Sequence, residues 1–350
     1  MAKNRILYLD ILKILAALFV IFNHYSSVIN GESYLSKVLF TVLFTICKMA
    51  VPLFVMVSGA LLLGKKTSYK EIFTKRIIRV FVPLVIVSMI YTFVYYDGLN
   101  FNNIFAFIVA IFTEYDIHYI PYWVWYLYML MALYVMTPFL QKMLKGFKEK
   151  DYKIFFVIFL IAVGIFNTIG PLSSVFGETK NINSHFTGNL FTIAVGYYVW
   201  GYYISKLKLN KKNVKCAWIV LIFSLFVGMA FVNYAVYHKD FNYNDVIDWS
   251  VLFVALPSAA LFLLFKYYFK DYNNLKVNKL ISIISDSSFG VYLTHVFLFD
   301  YLQKLSFIKN MLNYNTIVGC IVMVLIAFSL LTVVFYFVRK IPVFRKFVKF

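Results

Sequence analysis

The amino-acid sequence predicts an all-α fold, a polytopic bundle of about ten transmembrane helices with both termini in the cytoplasm. Three observations carry that expectation. Of the 350 residues, 62% are apolar and only 14% charged, with a mean hydropathy of +0.79. A soluble domain carries about 25% charged residues, so this chain has too little polar surface to cover itself in water. The apolar residues gather into runs that can cross about 30 Å of hydrocarbon at about 1.5 Å per residue. The net charge of +19 sits in short Lys/Arg clusters between those runs. That is the pattern of cytoplasmic loops and not of a nucleic-acid-binding face, so the expected partner is the lipid bilayer and no nucleic acid.

In chain order the apolar runs fall near 7–29, 38–63, 78–96, 122–140, 154–172, 186–204, 216–237, 249–268, 287–303 and 316–338. The first run follows MAKNR, continues past the length of a secretory signal core, and contains Asp10, Lys13 and His24, so it reads as a retained helix. A shorter run at 101–113 reads as a span, a re-entrant segment or an interfacial helix. Charge separates these. With an inside N-terminus and ten spans, segments 1–6, 64–79, 141–153, 205–215, 266–280 and 339–350 face the cytoplasm and hold 27 of the 34 Lys and Arg residues. Glu32, Asp97, Glu114, Asp116, Glu178, Asp240 and Asp245 then lie outside. A span at 101–113 would invert every later loop, so the positive-inside rule leaves that run on the outer side. The loops are too short to hold a soluble domain, so residues 1–350 read as a single integral membrane domain. Cys47, Cys216 and Cys320 form no CxxC pair, and neither a disulfide framework nor a metal site is expected.

Ionisable residues inside a span are costly and therefore candidate functional groups. Lys13 and His24 are three helical turns plus about 20° apart, with Asp10 on the same stripe and His24 about 16 Å along the helix from Lys13. Asp10 and Lys13 read as a catalytic pair or as an (i, i+3) ion pair near the interface, where Lys can snorkel. His24 reads as a general base, proton relay or ion ligand. A second polar helix, SDSSFGVYLTHVFLFD, sets Ser285, Ser288, Tyr292 and His295 on one face. Interhelical hydrogen bonding accounts for the serines, whereas His295 is open to a structural or a functional role. Arg76 and Arg79, at the start of the third span, either decorate a cytoplasmic loop or fork onto phosphates. The outer segment TEYDIHYIPYWVWY, with Glu114, His118 and Trp125, suits an interfacial aromatic belt or a surface that binds sugar rings.

Together these segments resemble the membrane acyltransferase-3 family. The resemblance rests on KILAALFVIFNH, a cation, ten intervening residues and then a His on the first helix, followed in order by VPLFVMVSGALLL, KRIIRVFVPL, WVWYLYMLMALYVMTPFL, VGYYVWGYYI and SFGVYLTHVFLF. Lys13 stands where the family more often has Arg. The resemblance implies a multi-pass protein of a bacterial plasma membrane. It would move an acyl group, most often acetyl, from cytoplasmic acyl-CoA to a sugar hydroxyl of a cell-envelope glycan or a lipid-linked precursor. Acyl-CoA is then a co-substrate, and no permanently bound cofactor is implied. His24 would act as base or acyl-accepting nucleophile, with Lys13 and Asp10 beside it. Arg76, Arg79, Lys65 and Lys66 would hold the CoA phosphates. Lys48, or backbone donors near Ser58 and Gly59, would support the oxyanion. Glu114, His118, Trp125, Tyr292 and His295 would serve the acceptor or support the centre. Two other classes fit the polar stripe: an exporter of a lipid-linked sugar or small solute, and a module that recognises substrate for a partner enzyme. The cytoplasmic arginine pair favours a phosphate-bearing donor.

Overall fold

A computed structural model of the chain describes residues 5–26, 34–96, 104–113, 118–177, 190–239, 241–342 and 344. Glu32, Asp97, Glu114, Asp116, Glu178 and Asp240 fall outside them, as does the side chain of Asp245. Helix accounts for 86% of the structure, and no strand occurs among the described residues. The helices are α1 (Leu7–Tyr25), α2 (Tyr34–Cys47), α3 (Ala50–Leu62), α4 (Tyr69–Tyr95), α5 (Ile104–Thr113), α6 (Trp125–Lys145), α7 (149–176), α8 (Leu190–Lys206), α9 (Lys211–Lys239), α10 (Leu252–Phe269), α11 (Leu275–Leu302), α12 (Ser306–Tyr314) and α13 (Thr316–Val338).

Eight helical stretches are long and apolar enough to cross a membrane: α1, Leu35–Leu62, α4, Tyr122–Lys145, α9, α10, α11 and α13. The other two expected runs are also helical: α7 covers 154–172 with a π-helical segment at Leu160–Ile165, and the 17 described residues of α8 fall within and just beyond 186–204. Of the 101–113 run, the described residues form the ten-residue helix α5, about 15 Å long. It packs beside the start of α6, where the Tyr128 hydroxyl donates to the Ile111 carbonyl at 2.9 Å. Ile219, Ile222, Phe223 and Phe226 of α9 and Ile90, Phe93 and Val94 of α4 are exposed. Side chains of this kind are the contact surface a bilayer requires.

The central element is α1, which packs on α2, α3, α10, α11 and α13 and buries Leu9, Leu12, Ala16, Ala17 and Ile21. The second apolar run breaks at Lys48 and Met49, and Pro52 explains the break. Proline has no N–H to return to the Lys48 carbonyl, and after the turn at Lys48 and Met49 the helix restarts at Ala50. Asn23 of α1 donates through Nδ2 to the nearby Cys47 carbonyl at 2.8 Å. The break is therefore pinned to α1 one residue before His24. Helices α3 and α8 approach closely because Gly59 and Gly201 face each other's backbones. A Cβ would stand 1.9 Å from the Tyr198 oxygen at Gly59, and 2.0 Å from the Met56 oxygen at Gly201.

Helix α11 begins at Leu275, twelve residues before its apolar run, which brings Asp286 onto the helix. The Asp286 carboxylate bonds to Arg5 Nη2 at 2.7 Å and to Arg339 Nη2 from the end of α13. Arg5 also bonds to Asp10 at 2.9 Å, and the Ser285 hydroxyl donates to Asp10 at 2.7 Å. Burial works against the Arg5 charge, but hydrogen bonds to Asp286 and Asp10 outweigh it and hold the guanidinium above its ordinary range. This network ties α1, α11 and α13 together at one end of the bundle.

Lys266, counted from the sequence as a loop cation, is instead buried on α10 with 4% exposure. Its Nζ donates to the carbonyls of Ile204, Ser205 and Leu207 at 2.8, 2.8 and 2.6 Å. The ammonium thus caps the carboxyl end of α8, where a cation also meets the negative end of the helix dipole. Lys266→Met is expected to cost about 1–3 kcal/mol, the penalty of leaving buried acceptors unmet. Thermal unfolding in detergent checks this, and an unchanged midpoint would show that the carbonyls find other donors.

Candidate functional site

His24 lies on the last turn of α1, at the end of the bundle opposite the Arg5 network. Its ring meets His295 of α11 with centroids 4.9 Å apart and planes tilted by 47°, and it meets Tyr122 at 5.4 Å. His295 is fully buried. Its Nδ1 lies 2.6 Å from the Tyr292 carbonyl oxygen, which can only accept. The proton therefore sits on Nδ1, and Nε2 presents a lone pair, buried and unpartnered among the described residues. The Trp123 indole donates to the Leu293 carbonyl at 3.2 Å, and the Tyr25 hydroxyl donates to the His295 carbonyl at 2.8 Å. The Tyr292 hydroxyl donates to the Trp123 carbonyl. These bonds fix the turn of α11 that carries His295 against α1 and the start of α6.

Beside His24 opens a cavity of about 210 Å³ lined by Asn23, His24, Lys48, Trp125, Asp248 and Trp249. Phe54, Tyr126 and Tyr292 form its floor and are shared with a smaller cavity of about 40 Å³, which contains Lys13, Ser58 and Ser288. The two spaces lie in line along α1, from Lys13 to His24. Lys48 Nζ donates to Asn244 Oδ1 at 2.9 Å and stands 4.5 Å over the Phe44 ring. Trp125 and Trp249 face each other with centroids 5.9 Å apart. The Trp249 backbone is held by the Tyr197 hydroxyl, 2.7 Å from its carbonyl. Burial raises the Asp248 carboxyl above its usual range, opposed by the Trp249 backbone N–H, the Lys48 charge and the Ser250 hydroxyl.

The structure thus brings His24, His295, Trp125 and Tyr292 together, with Lys13 one cavity below. Asp10 sits apart. Its carboxylate is turned to Arg5, to Ser285 and, at 3.7 Å, to Lys13. Arg76 and Arg79 lie at the opposite end from His24. Gln141, about 24 Å along α6 from Trp125, donates to the Leu62 carbonyl at 2.8 Å and to Thr67 Oγ1 at 3.1 Å. It holds the loop bearing the exposed Lys65 and Lys66 against the start of α4. Arg76 falls in a π-helical segment, Ile72–Ile77, and reaches Glu71 at 3.8 Å. Such segments are frequent at functional sites. The Nε of Arg76 is buried and unpartnered among the described residues, and both arginines act electrostatically on buried Tyr134. His118 packs on Tyr96 at 5.0 Å and does not line the cavity. Glu114 is outside the described residues.

Asn23, Tyr126, Asp248 and Trp249 are cavity residues that sequence reasoning did not single out. A signal existed for three of them: Asn23 adjoins His24, and Asp248 and Trp249 stand at the start of an apolar run.

The chain matches the acyltransferase-3 family, described as an acyltransferase domain, over residues 6–333. No curated protein and no solved structure matches it.

Proposed function

Because the chain belongs to the membrane acyltransferase-3 family, we propose that it is an O-acyltransferase of a bacterial plasma membrane. It takes an acyl group, acetyl in the simplest case, from cytoplasmic acyl-CoA to a sugar hydroxyl of a glycan or lipid-linked sugar outside. The observation that carries this reading is the aligned pair of cavities, which share Phe54, Tyr126 and Tyr292 and run from the level of Lys13 to the His24–His295 pair. Polyanionic CoA stays on the cytoplasmic side, where Arg76, Arg79, Lys65 and Lys66 supply phosphate partners. The pantetheine arm threads along α1 past Lys13 and carries the thioester to His24.

His24 takes the proton of the acceptor hydroxyl as the oxygen bonds to the acyl carbon. The C–S bond then breaks, and the imidazolium returns the proton to the leaving CoA sulfur. Lys48 faces the same cavity and can stabilise the oxyanion that forms in between. His295, with its proton committed to the Tyr292 carbonyl, orients the His24 ring and can accept from it.

The test is isotope transfer from labelled acetyl-CoA in proteoliposomes containing the purified protein and membrane glycans. Label recovered as a base-labile ester supports the reading, and folded protein that neither binds nor turns over acyl-CoA would end it. Arg76→Ala is expected to raise the KM for acyl-CoA about tenfold, the loss of one charged hydrogen bond. An unchanged donor KM removes Arg76 from the donor site.

A further inference from the structure

The cavity beside His24 is walled by two opposite charges that face it without closing on each other. Lys48 Nζ spends a hydrogen bond on Asn244 Oδ1 at 2.9 Å. Asp248 accepts from the Ser250 hydroxyl at 3.4 Å. Both side chains nonetheless line the same space. Asn23 also lines it; its Nδ2 donates to the Cys47 carbonyl, and its buried Oδ1 has no hydrogen-bond partner among the described residues. Burying such groups unmatched is costly, so the wall is built for something that brings both donors and acceptors. The remaining wall is the Trp125–Trp249 pair, tilted by 31°, which offers flat apolar faces.

A cation, a carboxylate and two indoles complement the edge and the C–H face of a pyranose. The charge of this lining sums to zero. A sugar carboxylate would meet Lys48 only by also facing Asp248, so the lining selects against it. We propose that this cavity is an acceptor subsite for a neutral pyranose. One hydroxyl accepts from Lys48, its neighbour donates to Asp248, a third is presented to His24, and the ring lies against the indoles. The inference rests on the acyltransferase reading and adds the class of acceptor and the residues that choose it.

The probes are p-nitrophenyl glycosides, neutral hexosides and the matching hexuronide, offered with acetyl-CoA to the full chain in proteoliposomes. Acetyl ester is read by mass spectrometry and CoA release in parallel. Neutral glycosides are expected to be acetylated in preference to the hexuronide. Lys48→Met and Asp248→Asn should each raise the glycoside KM at least about tenfold while moving the acetyl-CoA KM far less, and Lys48→Met should in addition lower kcat. Lys48→Arg, which keeps the cation, should recover most of the acceptor affinity and also controls for folding. Unchanged glycoside KM in both variants, or preference for the hexuronide, overturns the proposal. Acetyl-CoA turnover with no glycoside acetylated overturns the sugar subsite and leaves the acyltransferase reading standing. Absence of any acetyl-CoA turnover or binding removes both.

Discussion

His24→Gln is expected to lower acyl transfer about 10²- to 10⁴-fold, the range supplied by a positioned acid–base group, while the protein inserts and folds as before. Glutamine keeps a polar side chain of similar reach at the cavity wall but cannot take a proton from a hydroxyl. The surroundings of residue 24 do not depend on its basicity. Asn23 still ties α1 to the Cys47 carbonyl, and Tyr25 still donates to the His295 carbonyl. Stability is therefore expected to hold while turnover falls, a combination that separates chemistry from scaffolding. The same variant distinguishes the two roles open to His24. If the imidazole itself carries the acyl group, wild type gives a burst of CoA release without acceptor and an acid-trappable acyl-protein, and His24→Gln loses both. If it is a base, no burst accompanies acceptor-free turnover. Full transfer in His24→Gln would end the mechanism.

Much of this centre is legible in the sequence because a charge or imidazole inside a span is conspicuous. Lys13, His24 and His295 stand out against apolar neighbours, and helical periodicity puts Lys13 and His24 on one stripe without a structure. Trp125 and Tyr292 lie in segments polar enough to be marked. The rest depends on contacts between distant parts of the chain, which local periodicity does not encode. Lys48 reaches the cavity because Pro52 interrupts a helix that its hydropathy presents as continuous. Asp248 sits beside Lys48 only after α10 has packed on α3. Lys266 looks like an ordinary inner-loop cation until the end of α8 is seen resting on it. The π-helical segments in α4 and α7 likewise leave no mark in composition.

Asp286→Ala is expected to cost about 3–5 kcal/mol, the penalty for removing one member of a buried ion network and leaving its partners uncompensated. Asp286 has a side chain only 5% exposed and serves Arg5 and Arg339 at once. Without it the two guanidiniums face one another at the junction of α1, α11 and α13, and only Arg5 retains a carboxylate, that of Asp10. The Arg339 contact with the Ile283 carbonyl at 3.2 Å is too weak a replacement for a carboxylate. Unfolding in detergent should shift strongly downward, whereas turnover per folded molecule should change little, because the network lies about 21 Å from His24 along α1. Asp10→Asn extends the test to a residue the sequence groups with the catalytic histidine. Its carboxylate is occupied by Arg5, Ser285 and Lys13, so the variant should resemble a weaker Asp286→Ala, with lower stability and near-normal specific activity. The opposite result, normal stability with lost turnover, would place Asp10 in the chemistry through Lys13, whose ammonium lies between that carboxylate and the lower cavity.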